Sequence, residues 1–121
     1  MLNVQVKSFG SLVVLCLRGR VVRGELAPLR AAVTSQSGAT AVVLDLTGVT
    51  LIDAGGLGEM LELREQARVK GINFKLMNVP KRVGWVLEVT RLNSVFDVAS
   101  SAELYFAARG RYEPTMFAAC A

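Results

Sequence analysis

The segment Val42-Val43-Leu44-Asp45-Leu46-Thr47-Gly48-Val49-Thr50-Leu51-Ile52-Asp53-Ala54-Gly55-Gly56-Leu57-Gly58 constrains this chain most. It opens on a run of apolar, largely β-branched residues, passes a carboxylate at a turn, and ends in glycines that lead into a helical pattern. A strand with no polar alternation is covered on both faces, the condition of parallel or mixed sheets flanked by helices. An aspartate directly ahead of a helix is most simply an N-cap, accepting hydrogen bonds from amides that lack partners inside the helix. Gly55, Gly56 and Gly58 leave that helix start bare. Their spacing fits neither Gly-x-Gly-x-x-Gly nor the Walker pattern with its lysine, and the permissive dihedrals of glycine account for them equally well.

The remaining elements follow from changes of period. Val4-Gln5-Val6-Lys7 alternates as a half-buried strand, Phe9-Gly10-Ser11 supplies a turn, and Leu12 to Leu17 is an apolar strand ending at Arg18-Gly19, so a hairpin is predicted. From Glu25, Leu26, Leu29, Ala32 and Val33 recur at helical intervals, with Pro28 in the first turn and Ser37-Gly38 as the stop. Ala41 to Leu46 reads as the next strand. Leu57, Met60, Leu61, Leu63 and Ala67 then mark the inner side of a helix that Gly71 ends, with Glu59, Glu62, Gln66 and Arg68 toward water. Ile72 to Leu76 alternates as a strand, Pro80 opens a helix with Val83, Val86 and Leu87 inward, and Val95 to Val98 is a short last strand. Ser100 or Ser101 caps a final helix reaching about Ala108. The order implies an α/β fold with right-handed crossovers and about four helices around a mixed sheet.

Composition narrows the function. At 121 residues the chain fits one domain, and 52% hydrophobic content with 20% charged residues argues for a packed core rather than disorder. The expected division is a domain over 1–108 and a C-terminal tail over 109–121. No histidine is present, so Ser-His or Cys-His nucleophile activation and histidine metal ligation are excluded. The net charge of +4 is scattered rather than gathered into a basic face with stacking aromatics, so no nucleic-acid partner is expected. The longest apolar run, Leu12 to Leu17, falls far short of the ~20 residues a membrane helix needs, and the start lacks signal-peptide pattern, so a cytoplasmic protein without membrane insertion is expected. Cys16 and Cys120 lack metal-ligand spacing, and Cys16 is expected as a buried, inert thiol.

The order of elements, the Gly19-Arg20-Val21 turn, Asp45, Asp53, Gly71, Leu76-Met77-Asn78-Val79 and Leu87 through Phe96 together resemble STAS domains, the family of bacterial anti-sigma factor antagonists. The resemblance runs from about Val4 to Ala108 and implies a single STAS domain. In that family the turn usually reads Asp-Ser-Ser-Gly or Asp-Ser-Ala-Gly, and a kinase phosphorylates a serine or threonine there to break partner binding. Here it reads Asp-Ala-Gly-Gly: Ala54 and Gly55 stand where the hydroxyl is expected. The resemblance implies a non-catalytic module that binds an anti-sigma factor, often a serine kinase of the GHKL type, and so regulates transcription. The contact surface would centre on Asp53, Ala54, Gly55, Gly56 and Leu57, with Glu59 beside them and neither cofactor nor metal required.

Two further residues belong to this expectation. Trp85 falls outside the inward stripe of its helix, and an exposed tryptophan is costly unless a partner or the chain itself covers it. Thr50 is the substitute phosphoacceptor nearest the turn, although a β-branched residue there is more simply part of a strand. The apolar tail also makes a second copy of the chain a candidate partner. The competing readings are an adaptor subunit of a transport or signalling complex, and a small α/β nucleotide-binding enzyme using Asp45, Asp53 and the glycine turn.

Overall fold

In the computed structural model, which describes residues 1–100, the ten residues of β2 (Leu12–Val21) face the twelve of β3 (Ala41–Ile52). The excess is taken up by two register shifts, one between Cys16 and Arg18 and one between Gly19 and Arg20. Bulges of this kind add twist and re-aim side chains next to functional sites. Gly48 permits one of them, since a Cβ there would stand 2.9 Å from the Leu17 carbonyl oxygen. The strand expected to stop at Leu46 thus runs on to Ile52, carried by Val49 and Ile52, both buried.

The sheet has the order β1-β2-β3-β4-β5. β1 (Asn3–Phe9) forms the expected hairpin with β2, and β2, β3, β4 (Asn73–Met77) and β5 (Asp97–Ala99) are parallel. Each parallel step is made through a helix: α1 (Ala27–Thr34), α2 (Ala54–Val69) and α3 (Lys81–Val89). Right-handed crossovers that always advance in one direction place their helices on the same face of the sheet. The main core reflects this, with Val13, Leu15, Leu17, Val42, Leu44, Leu46, Phe74 and Leu76 meeting Leu29, Leu57, Met60, Leu63, Val83 and Leu87. Leu12, Val14, Cys16, Val43, Met77 and Ala99 form a second cluster on the other face, so the middle strands are buried on both sides, as their unbroken apolar runs require.

Other sequence expectations hold in detail. Leu57, Met60, Leu63 and Ala67 are the buried stripe of α2, and Gly71 after it has φ of 74°. The last strand begins two residues later than expected, at Asp97, because Phe96 turns into the core first. Cys16 is buried, as expected. The expected helix to Ala108 and the tail over 109–121 lie outside the described residues.

Candidate functional site

The Val21 carbonyl at the end of β2 organises the turn between β3 and α2. It accepts the Asp53 amide at 3.3 Å, drawing the end of β3 against β2. Asp53 has extended backbone and caps α2: its Oδ1 accepts the Gly56 amide at 2.8 Å, and its carbonyl accepts the Leu57 amide at 2.9 Å. The capping expectation for Asp53 is met. A Cβ on Gly56 would lie 1.9 Å from the Val21 oxygen, so the helix can start this close to β2 only with glycine at 56.

A second strand of chain completes the turn. The Arg23 amide donates to both carboxylate oxygens of Asp53 at 3.2 Å. The Gly56 amide above all, and then that of Arg23, hold the Asp53 carboxyl below its ordinary range, against an opposing effect of desolvation. Arg23 also closes over the next position: a Cβ on Gly55 would stand 2.8 Å from its Cβ and 3.2 Å from its Cα. Ala54 is exposed. Position 54 therefore has room for a side chain, whereas position 55 has it only if Arg23 moves.

The expected contact residues separate by accessibility. Ala54 is exposed, while Asp53 and Gly55 are partly so. Gly56 and Leu57 are buried, Leu57 at 6% exposure, so they shape the turn without presenting a surface. Glu59 is engaged within the chain by both arms of the Arg30 guanidinium, Nε at 3.1 Å and Nη2 at 2.5 Å, which joins α1 to α2 and lowers the Glu59 pKa. Trp85 is 64% exposed on α3, as its spacing requires, while Val83 and Leu87 are buried. Thr50 is a strand residue whose hydroxyl donates to the Gly19 carbonyl at 3.3 Å.

Asp45 departs from expectation. It lies within β3 at 1% exposure, and it follows Val43 onto the sheet face opposite the helices. Its Oδ1 accepts the Thr47 amide at 2.9 Å and the Thr47 hydroxyl at 2.6 Å, and its Oδ2 accepts the Asn78 side-chain amide at 3.1 Å. Asp45 and Asp53 do not converge, which removes the carboxylate pair on which the nucleotide-binding reading rested. Among the described residues no group of three His, Cys, Asp or Glu side chains is placed to hold a metal, and no helix is long and apolar enough to cross a membrane.

Sequence reading missed Arg23 and Arg82. The Arg82 guanidinium donates to the Thr50 carbonyl at 3.1 Å, bridging α3 to β3. Both contacts join residues about thirty positions apart, and no local pattern announces them.

A five-stranded mixed sheet with its helices on one face and an aspartate-capped turn ahead of α2 defines an α/β domain. The family model described as "Mlab, STAS domain" matches residues 4–104, and the chain belongs to the STAS family. Its fold is similar to that of the anti-sigma factor antagonist SpoIIAA in its unphosphorylated form, with TM-score 0.73 and 18% identity over 92% of this chain and 100% of that one. An anti-sigma factor antagonist from Mycobacterium paratuberculosis is also similar, with TM-score 0.73 and 19% identity over 90% of this chain and 95% of the other. A third similar structure, Mglu, is 28% identical over 65% of this chain with TM-score 0.59, and the match spans 20% of Mglu's own length.

Proposed function

We propose that this chain is a non-catalytic STAS module that binds an anti-sigma factor and thereby frees a sigma factor for transcription, with no phosphorylation switch in the turn. The carrying observation is the geometry around Asp53: the capped helix start is intact, Ala54 is exposed, and Arg23 occupies the space beside Gly55. A docking surface needs accessible chain, which Ala54 and part of Asp53 and Gly55 offer, whereas the switch needs a hydroxyl, which positions 53 to 56 lack. The anti-sigma factor antagonists of similar fold support the partner class. The partner would be an anti-sigma factor, in one form a serine kinase of the GHKL type, in a bacterial cytoplasm. Contact would centre on Asp53, Ala54 and Gly55, supported from beneath by Gly56 and Leu57 and flanked by Glu59 and Trp85.

The test is displacement. Full-length chain added to purified sigma–anti-sigma complexes from the same genome releases sigma factor from one of them, read by size-exclusion chromatography. Release from none contradicts the reading. A second reading, an adaptor subunit of a transport or signalling complex, is favoured by the exposure of Trp85, since an aromatic of that size suits a permanent interface. Stable co-purification of transporter subunits in place of an anti-sigma factor would select it.

A further inference from the structure

The outer side of α3 carries an apolar patch that the turn does not account for. Trp85 and Val89, 64% and 60% exposed, lie one helical turn apart on one face. Arg82 binds the Thr50 carbonyl and so fastens the start of α3 to β3. Here β3 has outrun its neighbour: the pairing of β3 with β4 ends at Asp45 and Met77, leaving the stretch toward Ile52 paired with β2 alone.

The charge around the patch has one predominant sign. Lys81 and Arg82 precede Trp85 by four and three positions and are exposed, and among the described residues neither is in an ion pair. The hydrogen bond from Arg82 to a neutral carbonyl leaves its charge uncompensated. Glu88 is the one acidic residue of α3. Aromatic anchors beside uncompensated cations fit a partner with complementary potential. Two cations are too few for stable attachment to an anionic bilayer or to a phosphate backbone, which need several.

We infer that Lys81, Arg82, Trp85 and Val89 of α3 form a docking surface for an acidic protein segment that presents apolar side chains between carboxylates. This deepens the docking reading by naming the partner's chemistry, and it does not depend on the Asp53 turn.

Trp85 is the only tryptophan of the sequence, so its emission reports on the patch directly in the full-length chain. The ratio of iodide to caesium quenching exceeds that of free N-acetyltryptophanamide; a ratio equal to or below that of the free indole overturns the charge argument. The binding probe is a labelled amphipathic helical peptide of Leu and Glu, compared with its Leu and Lys counterpart by fluorescence anisotropy. The acidic peptide binds at least tenfold more tightly, weakens with added salt, loses tenfold or more to Trp85→Ala, and loses severalfold to Lys81→Glu, with thermal unfolding of both variants near that of the parent. Equal binding of both peptides, no binding of the acidic one, or affinity unchanged in either variant overturns the proposal. An emission shift that follows protein concentration without peptide assigns the patch to self-association, and one that follows anionic vesicles assigns it to lipid; each overturns it too. The sigma-release assay reads the whole docking surface on the anti-sigma factor and the peptide titration reads the α3 patch alone, so either result can fail alone.

Discussion

The backbone amide of Arg23 lies 3.2 Å from both carboxylate oxygens of Asp53, and the Arg23 side chain begins where a side chain at position 55 would have to stand. One residue thus helps to fix the cap and closes the neighbouring site. Arg23 and Gly55 form a coupled pair, and a hydroxyl cannot be added at 55 without disturbing it.

A double-mutant cycle measures that coupling. Gly55→Ser in the parent should destabilise the fold by ~1 to 3 kcal/mol through crowding against Arg23. In an Arg23→Gly background the same change should cost ~1 kcal/mol less, because the Cβ and much of the obstruction are gone. Urea denaturation of the four proteins gives the interaction energy, and additive effects would show that the crowding relaxes freely. For the same reason Gly55→Asp cannot serve as a clean probe of docking, since it would strain the turn as well as charge it.

Gly56 and Ala54 provide a contrast one turn long. Gly56→Ala sets a Cβ against a backbone carbonyl that cannot swing away, and a loss of ~3 kcal/mol or more is expected. Ala54→Ser, at an exposed position, should stay within ~0.5 kcal/mol of the parent. Thermal and urea unfolding of the two variants side by side distinguishes them.

Asp53 makes a pH prediction whose direction is fixed. Its carboxyl is held low in the fold, chiefly by the Gly56 amide, so the fold favours the charged form. That stabilisation is fully present above the unfolded value of about 3.9 and is lost as pH falls through the depressed folded value. Asp53→Asn keeps an acceptor at the cap but removes the titration. Urea midpoints followed from about pH 5 downward should therefore fall more steeply in the parent than in the variant. Parallel curves would show that Asp53 does not carry the dependence.

Much of this was legible in the sequence where one period governs one element. The inward stripe of α2 and the outward position of Trp85 follow directly from helical spacing, and the cap follows from an aspartate before glycines. The extension of β3 was hidden because Thr47-Gly48-Val49-Thr50 carries turn-like residues, while the strand continues through bulges fixed by its neighbour β2. Asp45 looked like a strand-end carboxylate for the same reason, although Thr47 and Asn78 neutralise its burial cost. The Arg23 contact depends on chain entering from β2 thirty residues away, which no window of local sequence contains.

Trp85→Ala separates interface from core. With its indole 64% exposed, folding should change by less than ~1 kcal/mol, far below the ~3 to 5 kcal/mol of a buried aromatic truncation. Binding to the cognate partner should lose ~2 kcal/mol or more. Urea denaturation and a binding titration on the same preparation decide it, and a large folding loss with normal binding would show that Trp85 is structural.

The central claim is docking without a switch, and one titration tests it most directly. The full-length chain is titrated with its anti-sigma factor by calorimetry before and after incubation with the anti-sigma kinase, ATP and Mg²⁺, and the incubated sample is repurified and mapped by peptide mass. The account predicts the same affinity in both titrations and no phosphate on residues 47 to 58. Phosphate on Thr50 accompanied by loss of binding would contradict it, showing that the switch has moved along β3.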